Sequence, residues 1–200
     1  APAPSRTPPP LCPPLVLHDR ETRLAIPLAE LVPDAGSWAG RDFDVLGPLR
    51  NPVFRAVLHN QSGRGRALGL LVPRLQADTP WVDIRPLQQD NEAKLRTMLP
   101  EGSGTPGAVL EMAGPDGTFY GLLVAQRGGS YWAIHKSLAV MVFEGDRSRF
   151  QLTASVAGGQ AVASAAPAGD SPGEQLDLRV KPGVDPLLVL SCVLSILLLF

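Results

Sequence analysis

A chain of 200 residues, 44% hydrophobic and 18% charged, has enough apolar material for one real core. A net charge of -1 excludes a whole-protein electrostatic basis for binding nucleic acid. The two cysteines, Cys12 near the start and Cys192 near the end, do not read as a disulfide framework and point to a reducing compartment or to indifference about redox state.

The first stretch, 1–17, reads as a tail. Pro2, Pro4, Pro8, Pro9, Pro10, Pro13 and Pro14 make it proline-dense, so it is expected not to pack and to sample extended polyproline II. In that form it would suit the aromatic groove of an SH3 or WW type domain, which makes such a domain a candidate partner. Leu11 to Leu17 is interrupted by Cys12-Pro13-Pro14 and lacks a basic flank, so it does not read as a signal peptide. A cytoplasmic location follows as the expectation, peripheral to or anchored in a membrane. Asn60-Gln61-Ser62 matches a glycosylation sequon but, without a secretory route, reads as a turn.

The expected domain spans 18–200. Its pattern is one of short strands: Phe43–Leu46, Pro52–His59, Ala67–Val72 and Trp81–Arg85, the last alternating apolar and polar residues. Asn91–Leu99 is the one interior stretch with helical character. The strand rhythm returns with Gly107–Met112, Thr118–Gln126, Ser130–Lys136, Leu138–Glu144, Arg149–Val156, Gln160–Ala166 and Glu174–Val180. Turn chemistry separates them, as in Gly114-Pro115-Asp116-Gly117 and Ala157-Gly158-Gly159. Regular short strands of this kind predict an antiparallel sandwich or barrel.

The chain ends on an apolar helix, 185–200. Asp185 is placed to cap it, and Pro186 suits its first position because the missing N–H would be unsatisfied there anyway. No charge follows, so the helix must be surrounded by protein or by lipid. At ~1.5 Å per residue it reaches roughly 20 Å, short of the ~30 Å hydrocarbon thickness, and this favours a buried core helix over a membrane anchor. A sheet closed around the helix would give the strands a closed edge and the helix an apolar environment.

Enzymatic chemistry finds no support in the residues. Gly169-Asp170-Ser171-Pro172-Gly173 matches the nucleophile-elbow pattern, but an elbow needs a strand before it and a helix after it, whereas a strand follows here. His18, His59 and His135 all precede Ser171, against the chain order of that fold. No metal-ligand spacing occurs, and no cofactor is expected. Arg64 and Arg66, Arg127, and Arg147 with Arg149 sit in three predicted turns. Should those turns share one end of a barrel, they would form a candidate surface for anionic phospholipid.

The segment Arg179-Val180-Lys181-Pro182-Gly183-Val184-Asp185-Pro186, with the helix after it, resembles the closing motif of LURP-one-related proteins. Phe150–Ser155, Gly159–Ala163 and Leu176–Val180 resemble that family's last strands, and Phe43–Gly47 with Pro52–Arg55 its early hairpin. The resemblance implies membership of the tubby C-terminal and phospholipid scramblase superfamily: a mainly β, closed antiparallel barrel of about twelve strands around a C-terminal hydrophobic helix. It also implies a non-catalytic module binding phospholipid headgroups or protein at a membrane surface. Two alternatives stay open, a scramblase-like protein with the helix inserted in the bilayer and an adaptor acting through the proline-rich tail. Only Glu174, Asp177 and Asp185 precede the helix, too spread out for a calcium loop, and no cysteine cluster is present. Both absences favour the LURP-one branch.

Overall fold

The structure, a computed structural model, describes residues 7–32, 40–61, 65–72, 82–87, 92–100, 106–168 and 174–200. Twelve antiparallel strands run in sequence: β1 (Thr22–Pro27), β2 (Arg41–Leu46), β3 (Pro52–Gln61), β4 (Gly65–Leu71), β5 (Val82–Pro86), β6 (Val109–Ala113), β7 (Phe119–Ala125), β8 (Tyr131–His135), β9 (Leu138–Asp146), β10 (Gln151–Ser155), β11 (Ala161–Pro167) and β12 (Gln175–Val180). Each pairs with its sequence neighbours, and β1 pairs with both β2 and β12, which closes the barrel. The β1–β12 seam is long, from Thr22 opposite Val180 to Pro27 opposite Gln175. The β1–β2 seam is short, with Ala25 opposite Leu46 as its one paired position.

Period-two alternation sends one set of side chains inward. Leu24 and Ile26 on β1, Phe43 and Val45 on β2, and Leu176, Leu178 and Val180 on β12 are all buried. β1 was not among the strands expected from the sequence. Its signal is weak because only Leu24 and Ile26 alternate before Pro27 ends the run, and closure of the barrel supplies the rest.

The interior is filled by α3 (Pro186–Leu198), whose every residue is buried. The alternation of the strands and the uniform apolarity of the helix thus have one cause: the inward face of the sheet and all sides of α3 bury each other. Two serines fit because each satisfies itself within the helix. Ser191 Oγ donates to the Leu187 carbonyl at 2.6 Å and Ser195 Oγ to the Ser191 carbonyl at 2.7 Å. Between them in the helix, Cys192 Sγ lies 3.9 Å from the sulfur of Met112 on β6. Among the described residues no helix is long and apolar enough to cross a membrane.

Two short helices lie outside this core. α1 (Leu28–Leu31) follows β1 and buries Leu28 and Leu31. α2 (Glu92–Met98) lies within the predicted Asn91–Leu99 stretch and covers part of the barrel's outer face. Leu95, Met98 and Leu99 pack there on Leu122, Val124 and Ile134. This explains why β7 is apolar on both faces and reads as a continuous hydrophobic run.

The tail expectation is corrected for its described part, residues 7–17. Leu11 is 7% and Cys12 2% exposed, Pro8 is buried, and Pro13–Leu15 form a 3-10 turn rather than polyproline II. Local composition cannot show that Leu11 and Cys12 have an apolar partner far along the chain. They find it at the end of the barrel where α3 begins. Positions 1–6 lie outside the described residues.

Candidate functional site

In an up-and-down barrel the connections alternate between the two ends. The end where β12 hands over to α3 is here called the base; it also carries the β2–β3, β6–β7, β8–β9 and β10–β11 turns. The opposite end, the apex, carries the β3–β4, β7–β8 and β9–β10 turns and α1, and α3 finishes there with Phe200 5.2 Å from Tyr131, ring to ring.

At the base, Pro182-Gly183-Val184-Asp185-Pro186 turns the chain from strand into barrel interior. Gly183 has φ +81, a left-handed conformation that favours glycine. Its N–H donates to the Leu17 carbonyl at 2.7 Å, and this ties the N-terminal segment to the turn. Asp185 is 1% exposed and works in two directions. Oδ1 accepts from Leu187 N–H at 2.8 Å and Leu188 N–H at 3.4 Å, capping α3 as the sequence predicts. Oδ2 accepts from Cys12 N–H at 2.5 Å, and this bond latches the N-terminal segment across the base. Burial raises the Asp185 pKa above the ordinary carboxylate range, against the lowering effect of these N–H donors. Tyr120 adds a third tie by donating its hydroxyl to the Pro9 carbonyl at 2.5 Å. The motif is therefore structural: it starts the core helix and closes the base.

The arginine turns do share one end, the apex, because they are separated by even numbers of strands. Arg66 lies at the start of β4, Arg127 in the β7–β8 turn, and Arg147 and Arg149 in a 3-10 turn between β9 and β10. All four are exposed; Arg64 lies outside the described residues. They are spread around the rim. The β7–β8 and β9–β10 turns are neighbours, whereas β3–β4 lies across the mouth from β9–β10. The last turn is well built: Asp146 accepts from Ser148 N–H at 2.9 Å and from Ser148 Oγ at 2.5 Å, and lies 3.5 Å from Arg149 Nε. Those hydroxyl and amide donors hold the Asp146 pKa below its ordinary value. Arg147 makes no ion pair among the described residues and projects from a turn whose geometry is fixed.

Other reactive groups do not assemble. Burial raises the pKa of both cysteine thiols and so disfavours the thiolate that nucleophilic chemistry needs. Among the described residues no three of His, Cys, Asp and Glu are grouped to hold a metal ion. His59, Asp83, Arg85 and Glu111 form a chain of polar side chains across the outer face of the barrel, from β3 to β5 and β6. His59 Nε2 and Arg85 Nη1 each lie 3.9 Å from an Asp83 oxygen, and Arg85 pairs with Glu111. His135 is instead bound to the Tyr120 carbonyl through Nδ1 at 2.6 Å. The Gly169–Gly173 elbow pattern lies outside the described residues.

No protein-family model matches the sequence, and no curated protein matches it. A solved structure of a protein from Arabidopsis thaliana has the same fold: TM-score 0.60 over 93% of this chain and 94% of that one, at 14% identity. At that identity the likeness shows the fold alone.

Proposed function

We propose that the chain is a LURP-one-like, non-catalytic barrel that binds the headgroups of anionic phospholipid at a membrane surface. The observation that carries this reading is the placement of Arg66, Arg127, Arg147 and Arg149 on one end of the barrel by strand topology. Cations presented together near an acidic leaflet contribute about 1 kcal/mol each, screened by salt. The closing motif that resembles LURP-one-related proteins supports this reading, and the Arabidopsis protein shares the barrel fold on which it is built. The burial of α3 supports a surface-binding barrel over one whose terminal helix enters the bilayer.

The test is co-sedimentation with phosphatidylcholine vesicles with and without phosphatidylserine. Replacing Arg66, Arg127 and Arg147 by Gln should weaken binding to the acidic vesicles by about 3 kcal/mol, on the order of 100-fold, at low salt. Unchanged binding would sink the reading.

A further inference from the structure

The apex carries the arginines, but the exposed apolar side chains are elsewhere. Among the described residues four large hydrophobic side chains are exposed: Leu49 (88%), Leu138 (59%), Phe119 (43%) and Val32 (58%). The first three lie at the base, Leu49 in the β2–β3 turn, Leu138 where β9 leaves the β8–β9 turn, and Phe119 where β7 begins. Single exposed apolar residues are ordinary on a protein surface. Three on one end, each at or beside a turn, form a pattern.

These tips are held rather than loose. Gly47 and Asn51 close the β2–β3 turn through a 2.9 Å backbone bond, and Arg50 N–H donates to the Gly47 carbonyl at 3.0 Å. The β8–β9 connection is a two-residue turn with both Lys136 (φ +49) and Ser137 (φ +62) left-handed, which fits the twist of a tight hairpin and lifts Leu138 at its exit. Two of the apolar tips come with a cation: Arg50 follows Leu49 and Lys136 precedes Leu138 by two positions, and exposed Lys181 lies on the same end; the third tip, Phe119, follows exposed Asp116 by three positions. None of the three cations is in an ion pair among the described residues. The exposed acids of this end, Asp19, Glu21 and Asp116, do not sit in either of those two turns, and Glu21 is paired with Arg23.

The spacing selects the partner. The β2–β3 and β8–β9 turns stand six strands apart in a closed ring of twelve, on opposite sides of the mouth. A peptide in a groove would meet one tip; only a broad, flat partner meets both. Between them the docked N-terminal segment presents exposed Pro9, Pro10, Pro13 and Pro14, so the face is apolar across its middle as well. We infer that the base is a bilayer-insertion surface, with Leu49, Leu138 and Phe119 entering the interfacial region and Arg50, Lys136 and Lys181 at the level of the phosphates. Interfacial binding of this kind adds buried apolar area to attraction for acidic lipid. It therefore persists at salt concentrations that abolish purely electrostatic docking. The surface is separate from the apical arginines and does not depend on them.

The experiment is site-specific labelling of the full chain with a polarity-sensitive fluorophore at Leu49→Cys, Leu138→Cys and, as the apical reporter, Val32→Cys. Wild-type protein, whose two cysteines are both buried, serves as the background control. With phosphatidylcholine–phosphatidylserine vesicles the expected result is a blue shift at positions 49 and 138, retained at high salt, and none at 32. In unlabelled protein at high salt, where apical electrostatic docking is screened, Leu49→Asp with Leu138→Asp should lower vesicle partitioning at least tenfold while leaving the far-ultraviolet circular dichroism unchanged. Vesicle binding without a shift at 49 and 138 overturns the inference. If that binding is also lost on neutralising Arg66, Arg127 and Arg147, the headgroup reading survives alone. Absence of any vesicle binding overturns both.

Discussion

The two ends of this barrel are built to different rules. The base is where the chain does its structural work. The closing turn, the α3 cap and the N-terminal segment converge there on one buried carboxylate, Asp185, and the turns around it expose leucine and phenylalanine. The apex is plainer. Arginines lie in or beside three of its turns, α3 simply ends there, and one of those turns is fixed by an Asp146–Ser148 cap. An up-and-down meander makes this segregation easy, since alternate turns belong to alternate ends and can be set independently. What the contrast teaches is that the centre of the base, around Asp185, answers for folding, while the outward turns of both ends are free to answer for binding.

The largest way to break that contrast is to remove 186–200. Burying about ten large apolar side chains at ~2 kcal/mol each is worth up to roughly 20 kcal/mol, more than the ~5–15 kcal/mol net stability of a typical domain. The truncated chain should lose its β circular dichroism and its cooperative unfolding transition. Next comes Asp185→Ala, which deletes the cap and leaves buried N–H groups of Leu187, Leu188 and Cys12 without an acceptor. A loss of about 3 kcal/mol is expected by denaturant unfolding. Leu11→Ala should cost about 2–3 kcal/mol by the same measurement if the N-terminal segment is part of the core, and almost nothing if it is a solvated tail.

The pH dependence sharpens the comparison further, because the buried carboxylate at the base, Asp185, and the turn carboxylate at the apex, Asp146, are shifted in opposite directions. Asp185 is raised by burial, so the folded state holds its proton more tightly than the unfolded chain does. Its contribution to stability is full below the ordinary carboxylate value of about 3.9 and is lost as pH rises through the folded value. Asp146 is lowered, so its contribution is present above that ordinary value and fades as pH falls. The melting temperature of wild type relative to Asp185→Asn should therefore decline as pH rises from acid toward neutral, and relative to Asp146→Asn it should increase. The smallest effect belongs to the apex: replacing Arg127 or Arg147 by Gln should move stability by no more than about 0.5 kcal/mol, whatever it does to vesicle binding.

Much of the architecture was legible in the residues. Asp185-Pro186 marks the start of α3, the absence of charge after it calls for an apolar surround, and the glycine-rich turns mark most of the hairpins. β1 was harder to read, because a six-residue strand with two inward apolar side chains is defined by the partners that close the barrel on it. The N-terminal segment misled for a related reason. Proline density describes what a chain does alone, and the burial of Leu11 and Cys12 depends on a site made by residues far away in sequence. The sharing of one end by the arginine turns was within reach of simple counting, since turns an even number of strands apart in a meander lie together. The base tips were missed because Leu138 reads as the first residue of a strand and Leu49, between two expected strands, is a single apolar residue, and only the geometry of their turns shows that both face outward on one end.

Amide hydrogen exchange on the full chain tests the account most directly. The helix-filled barrel closed at its base predicts that α3 amides, together with those of Leu187, Leu188, Cys12 and Gly183, exchange only through global unfolding and are among the slowest in the molecule. The apical turn amides should exchange far sooner. Rapid exchange at Cys12 and Gly183, with α3 amides opening ahead of the strands, would contradict it: the base would then be open and the helix not the core.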